Sequence, residues 1–156
     1  MCKVGAYLVA SDNSNGNLGI GNATETIWGD SPTEMGSGLP FVNLGTGVVA
    51  VQITAGAGFA CALLSGGSVK CWGCALFVRE RGSTDTECGS DNSNGNLGLG
   101  DTTDRGATAA SMGDGLPFVD LGSIPQPQRA VAITATEFVV CVVLTNGLKC
   151  WGCVCL

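Results

Sequence analysis

The chain contains one stretch of sequence twice, and this duplication constrains its fold more than any other feature. Residues 50–55 and 61–73 recur, with Ala-Val-x-Ile-Thr-Ala and Lys-Cys-Trp-Gly unchanged, as residues 130–135 and 141–152. Two further blocks repeat in the same order, because residues 11–21 return as 90–100 and residues 35–45 return as 112–122. Three matched blocks in one order indicate an internal repeat, not chance.

Each repeated unit has the pattern of β-structure. Val49, Val51 and Ile53 alternate with smaller or polar residues, which is the period of a half-buried strand. The 25 glycines concentrate in turns between short apolar runs, and no segment keeps helical spacing over three turns. The sequence therefore predicts an all-β chain.

The repeat divides the chain into five parts. We expect a partial strand or weak leader at residues 1–10, repeat unit one at 11–73, an insert at 74–89, repeat unit two at 90–152 and a tail at 153–156. The first ten residues are a poor signal peptide, with one basic residue and a short apolar run. The insert is the most charged segment, and we expect it to be exposed.

The repeated stretch also predicts a hairpin register. If Cys61 lies opposite Cys71, then Leu63 lies opposite Val69, and residues 65–67 form a three-residue loop with glycine available for positive φ. The second unit is one residue shorter here. Its hairpin keeps the cysteines opposed if the loop shrinks to the two residues 145–146. The alternative is a turn at Asn146-Gly147, which is the better two-residue turn by composition and would break this register.

Opposed cysteines suggest cross-strand disulfides. Facing residues of antiparallel strands have Cα atoms about 4.5–5.5 Å apart, which lies within disulfide range. The pairs Cys61–Cys71 and Cys141–Cys150 are the candidates, and the alternative is small buried thiols that fill one sheet face. Disulfides would indicate an oxidising compartment, although the sequence does not otherwise identify one. The total of nine cysteines is odd, so at least one stays unpaired if the rest form disulfides.

Taken together, the repeated motifs resemble the regulator of chromosome condensation repeat family in its Cys-bearing long-repeat form. The resemblance rests on the Asn-rich turn, Leu-Gly-x-Gly, Gly-Leu-Pro-Phe-Val, Ala-Val-x-Ile-Thr-Ala and Lys-Cys-Trp-Gly, in the family's order in both units. It implies a β-propeller of four-stranded antiparallel blades, here about two blades of an incomplete ring. The chain departs from the family at Phe59 and Val139, where His is frequent, and at Asn17 and Asn96, where Gln is usual.

Composition argues against several functions. The seven Lys and Arg are scattered and the net charge is −6, so direct nucleic-acid binding is not expected. No apolar run reaches the ~18 residues of a membrane-spanning helix. Without His there is no Ser-His-Asp or Cys-His set, so we expect neither catalysis nor a cofactor. The Cys-x-x-Cys spacings at 71–74 and 150–153 belong to the repeat and favour neither zinc binding nor thiol redox chemistry.

The resemblance implies a binding platform. We expect a non-enzymatic repeat module that mediates protein–protein interaction with an unidentified partner. Two alternatives stay open, namely a guanine nucleotide exchange regulator of a small GTPase and a disulfide-stapled extracytoplasmic structural domain. Because open blades leave unpaired faces and edges, we expect either that the chain self-associates to complete a ring, or that it is a piece of a longer protein or the product of a faulty gene model.

Propellers usually bind through loops, which selects the candidate contact residues. We expect partner contacts at the turns and at the insert, through Asn13, Asn15, Asn92, Asn94, Arg79 and Arg81. Trp72 and Trp151 follow the strand cysteines, and we expect them to be structural core between blades.

Overall fold

The protein consists of two three-stranded antiparallel sheets in a computed structural model that describes residues 13, 16–24, 27–73, 92, 95–123 and 127–153. Sheet 1 has the order β1 (Ala50–Ala55), β2 (Phe59–Leu64), β3 (Val69–Gly73), and sheet 2 has the order β4 (Ala130–Ala135), β5 (Val139–Leu144), β6 (Gly147–Gly152). Short 3-10 turns at Pro32–Glu34, Gly36–Gly38, Ala109–Ser111 and Gly113–Gly115 precede the sheets. The predicted all-β class is confirmed, and none of the described helices is long and apolar enough to cross a membrane.

The first hairpin has the register that the sequence predicts. Cys61 faces Cys71, and Leu63 faces Val69. The loop at residues 65–67 is closed by a hydrogen bond from the Leu64 N–H to the Ser68 carbonyl, and Gly67 adopts φ +80°. A side chain at Gly67 would be strained in this conformation, which explains the glycine.

The second hairpin absorbs its missing residue in the turn, as predicted. Cys141 faces Cys150 and Leu144 faces Gly147, which leaves residues 145–146 as the two-residue loop. The cysteine pair and the strand faces are therefore preserved in both units.

The first strand of each sheet departs from the predicted alternation. The pairing shifts by one residue between Ala50 and Gln52, and again between Ala130 and Ala132. Such a β-bulge turns the following residues to the other face of the strand. Strict alternation was therefore wrong here, and in β4 the buried pair is Ala130 and Ile133, three residues apart.

The core lies on both faces of sheet 1. One face, which we call the joint face, packs against sheet 2, and it consists of Phe59, Cys61, Leu63, Val69 and Cys71. Sheet 2 contributes Ala130, Ile133, Val140, Val142 and Leu144 to this cluster. The reverse face of sheet 1 carries Ala60, Ala62, Leu64 and Trp72, and it is covered by Met112 and Leu116 with Val42, Leu44 and Val48.

A segment of the second unit lies along the outer edge of sheet 1. This wrapping segment, residues 105–121, accepts a hydrogen bond from the Gly73 N–H through the Arg105 carbonyl. Further along, the Val119 N–H donates to the Val69 carbonyl. The edge of β3 is thus paired by the following unit, although the described residues form three regular strands a sheet and no closed ring.

The predicted division into units is not tested by these observations and stays a prediction. The leader at 1–10 and the insert at 74–89 lie outside the described residues, as do residues 154–156 of the tail.

Candidate interaction surfaces

The contact between the two units, which we call the central joint, is organised around a buried lysine. Lys70 lies on β3, and its Nζ donates to the Leu44 carbonyl at 2.7 Å and to the Gly113 carbonyl at 2.8 Å. The first acceptor belongs to the lysine's own unit and the second to the wrapping segment. One ammonium therefore joins two successive units through backbone atoms.

The surroundings of Lys70 compensate in part for the burial of its charge. The ring of Phe118 lies with its centroid 4.5 Å from Nζ, within the range of a cation–π contact. Burial lowers the pKa of Lys70 because desolvation disfavours the charged form, and the Asp114 carboxylate opposes that shift. Lys70 therefore makes its hydrogen bonds and its ring contact, and has its carboxylate neighbour, where the two units meet.

A second link across the joint joins Asp114 to Thr46. The carboxylate accepts hydrogen bonds from the Thr46 N–H at 2.8 Å and from its hydroxyl at 2.9 Å. These two bonds are the main reason that the pKa of Asp114 is lowered, with a smaller contribution from Lys70. The carboxylate thus fixes the wrapping segment against the first unit.

The two sheets are also joined by a glutamine side chain. The Gln52 amide Nε2 donates to the Ile133 carbonyl at 2.7 Å, and its Oε1 accepts from the Ile133 N–H at 3.2 Å. The side chain therefore pairs with the β4 backbone as another strand would. In the second unit the equivalent position is Ala132, which has no such group.

Asn13 and Asn92 occupy a different environment from the one that a partner contact needs. Both side chains are buried. The Asn92 amide donates to the Asp101 and Thr103 carbonyls, and its oxygen accepts from the Leu97 N–H. These bonds brace the turn from inside, because an Asn side chain can satisfy backbone groups that the turn leaves unpaired. Both side chains thus face inward, which differs from the expected contact role.

The repeated tryptophans pack where the Asn-rich turn meets its own sheet. Trp72 is buried, and its indole lies so close to Gly19 that a side chain there would overlap the ring. Trp151 meets Gly98 in the same way and donates from Nε1 to the Asn96 carbonyl at 3.1 Å. Each glycine is required by this close approach.

The two opposed cysteine pairs are disulfide-bonded. Cys61–Cys71 and Cys141–Cys150 each have a Cα–Cα distance of 4.1 Å. The first bond is buried on the joint face, whereas Cys150 of the second is exposed. Cys153 is disulfide-bonded as well, and no cluster of metal-binding side chains occurs within the described ranges.

Both ends of the two-unit stack expose large apolar side chains. Phe41 is 97% exposed, and Ile53 on β1 also faces solvent. At the opposite end, Val143 and Leu148 are exposed on β5 and β6. Exposed apolar patches of this kind mark contact surfaces on soluble proteins.

Four predicted contact residues lie outside the described part of the chain, namely Asn15, Asn94, Arg79 and Arg81. Their contact role stays a prediction. Sequence reasoning missed Lys70, because a lysine on a strand is ordinarily exposed. The available signal was that Lys70 and Lys149 occupy the same place in both repeats.

One stretch of the chain matches a known protein family. Residues 50–75 match the family model described as Regulator of chromosome condensation (RCC1) repeat, which confirms the resemblance for this stretch. No curated protein matches the chain.

Two solved structures are similar to the chain. The crystal structure of Kap60 bound to yeast RCC1 (Prp20) has 20% identity and a TM-score of 0.42, and the match covers 66% of this chain and 19% of that one. The ectodomain of the Physcomitrella patens receptor kinase CR4 has 18% identity and a TM-score of 0.21, with 77% of this chain and 41% of that one covered. The chain thus spans a minor part of either structure.

Proposed function

We propose that this chain, which carries an RCC1-type repeat at residues 50–75, is a non-enzymatic protein-interaction module built from two propeller-type units. The wrapping segment, which pairs with β3, would serve as the fourth strand of a blade. Four-stranded blades therefore require a following unit for completion.

The observation that carries this proposal is the exposed apolar surface at both ends of the stack. Phe41, Ile53 and Leu148 are each more than half exposed, although apolar side chains of this size are usually buried. A protein surface would bury them, and each fully buried side chain contributes about 1.5–3 kcal/mol.

The buried polar groups also support a structural role for the interior. Lys70, Asn13 and Asn92 are bonded to backbone atoms of the fold. These bonds hold backbone segments in place, and the side chains that make them face the interior. A partner protein would then bind the exposed surface of the module.

Site-specific photocrosslinking in cells tests the proposal. A benzophenone amino acid at position 41 or 148 is expected to form covalent adducts with protein, and the same probe at the exposed, charged Glu137 serves as the control. Equal adduct formation at all three positions would overturn the proposal.

A second candidate function is favoured by the disulfides. Two cross-strand disulfides in adjacent repeats are typical of proteins in oxidising compartments, which supports a disulfide-stapled extracytoplasmic domain. Thiol labelling of the protein taken directly from its native compartment distinguishes this role. Free thiols at Cys61 and Cys141 would exclude it, whereas protected thiols are expected.

A further inference from the structure

Equivalent residues of the two units differ sharply in exposure, and the central joint accounts for the difference. On β3, Val69 is fully buried because the wrapping segment lies along this strand. On β6, the equivalent Leu148 is 65% exposed. Both strands carry the same Lys-Cys-Trp-Gly motif. The exposed strand β6 is therefore similar in sequence to β3, which is covered.

The opposite end shows the complementary difference. We call residues 28–44 the leading segment, since they are the first unit's equivalent of the wrapping segment. Leu116 of the wrapping segment is 1% exposed, whereas Leu39 of the leading segment is 43% exposed. Likewise, Ile133 is 3% exposed against sheet 1, and Ile53 is 65% exposed.

The leading segment already has the conformation of the docked wrapping segment. Both contain two consecutive 3-10 turns at equivalent positions. The backbone angles agree closely, with φ −77° and ψ 117° at Leu39 against −82° and 116° at Leu116. A segment that is preorganised loses little conformational entropy on docking.

The Asn-rich turns repeat the same asymmetry. Gly16 lies against Gly106, and Gly21 lies against Ala109, so that a side chain at Gly16 would overlap the wrapping segment. No described atom lies within 4 Å of the Cβ position of the equivalent Gly95 or Gly100. The turn of the second unit thus presents the surface that the turn of the first unit uses.

We propose that a second copy of this chain docks its leading segment along β6 and the 95–100 turn of the first copy, and so reproduces the central joint between molecules. The inference deepens the proposed function, on which it rests, by naming the partner. Continuity with the joint inside the chain selects this occupant, because each molecule carries both complementary halves.

Specific contacts follow from the equivalence. Lys149, which already donates to the Leu121 carbonyl at 2.7 Å, gains the Gly36 carbonyl and the Phe41 ring of the second copy. The Val42 N–H of that copy donates to the Leu148 carbonyl. By the same equivalence, the Phe41 ring of that copy lies beside the cavity of about 210 Å³ that Leu148 and Lys149 line. Phe118 lies beside a cavity of about 220 Å³ in the central joint in the same way.

The joint between molecules lacks some of the side-chain hydrogen bonds that the central joint has. Ala132 stands in place of Gln52, and Ser37 stands in place of Asp114. Association is therefore weaker than the contact between the units, and it is reversible. Because two different surfaces meet, the contact is head-to-tail rather than two-fold symmetric.

Sedimentation velocity on the full oxidised chain tests the proposal. The wild-type mass is expected to rise with concentration, and Leu39→Glu and Leu148→Glu are each expected to abolish that rise. A mixture of the two variants should form a heterodimer, because each retains the half that the other has lost. Val131→Glu is the matched control, since the equivalent Val51 stays exposed beside the central joint.

A gain-of-function variant extends the test. Ala132→Gln introduces the residue that stands at the equivalent Gln52, which pairs with the Ile133 backbone in the central joint. The new side chain would pair with the Ile53 backbone of the second copy, and it should tighten self-association about tenfold. A wild-type chain that stays monomeric at millimolar concentration would overturn the proposal. So would association that both glutamate variants leave intact, or variants that fail to complement each other. Crosslinks from position 41 to other proteins would in that case still support the proposed function.

Discussion

At the scale of single residues, the described interior is fixed by a few polar side chains that bond to backbone groups. Lys70 is the main example, because it supplies donors to two carbonyls in different units. Lys149 has the same motif around it and remains exposed. The same residue in the same motif is therefore buried or exposed according to whether another segment covers it.

Removal of the Lys70 ammonium should destabilise the protein strongly. Lys70→Met keeps the apolar stem but removes the ammonium donor from the Leu44 and Gly113 carbonyls, and we expect a loss of about 2–4 kcal/mol in the free energy of unfolding. Urea denaturation measures this loss. Lys149→Met is the matched control, and it should cost less than about 1 kcal/mol because water replaces the donor. Equal effects of both variants would contradict the role of Lys70.

Asp114 should make stability depend on acid pH. Hydrogen bonds from Thr46 lower the pKa of this carboxyl from its usual 3.8, so the folded state favours the ionised form. The contribution is present above that value and is lost as pH falls through the lowered pKa. The urea midpoints of wild type and Asp114→Asn should therefore converge between neutral pH and pH ~2. A gap that is constant over this range would show that the Thr46 contact does not depend on the charge.

Residue roles were the part that the sequence predicted least. The turn asparagines were expected at a binding surface because Asn is polar and common in loops. Asn92 instead faces inward, since its amide satisfies three backbone groups of the turn. Local sequence does not show which way a turn side chain points, because that depends on the tryptophan and the sheet against which the turn packs.

At the scale of elements, the hairpins were predictable and the first strands were not. Opposed cysteines and loop lengths determine the register, and the structure has that register in both units. The bulges in β1 and β4 interrupt a sequence that alternates regularly through Val49, Val51 and Ile53. Alternation of residue types cannot reveal an extra residue in one strand of a pair.

The two disulfides should differ in reactivity because their exposure differs. Cys61–Cys71 is buried under sheet 2, and Cys150 of the other pair is exposed at the edge. Thiol exchange requires access of the attacking thiolate, so dithiothreitol should reduce Cys141–Cys150 roughly tenfold faster. Timed alkylation with mass spectrometry would measure both rates, and equal rates would imply that the joint opens faster than reduction occurs.

At the scale of the whole molecule, the edge of sheet 1 is covered by a segment of the second unit. The sequence predicted propeller blades from a resemblance, but it did not indicate that the edge of β3 would be covered by the next repeat. That arrangement depends on contacts such as Val119 to Val69, which are distant in sequence. The repeat nonetheless allows the uncovered ends to be interpreted, because the central joint shows what covers the same residues.

Hydrogen–deuterium exchange of β3 and β6 tests the central claim most directly, namely that burial of the repeated motif depends on a following unit. In dilute protein, amides of Val69–Gly73 should exchange far more slowly than those of Gly147–Gly152, which has the same Lys-Cys-Trp-Gly sequence. Protection of Gly147–Gly152 should then increase with protein concentration. Equal exchange of the two strands in dilute protein would contradict the account, because the wrapping segment would then not protect β3.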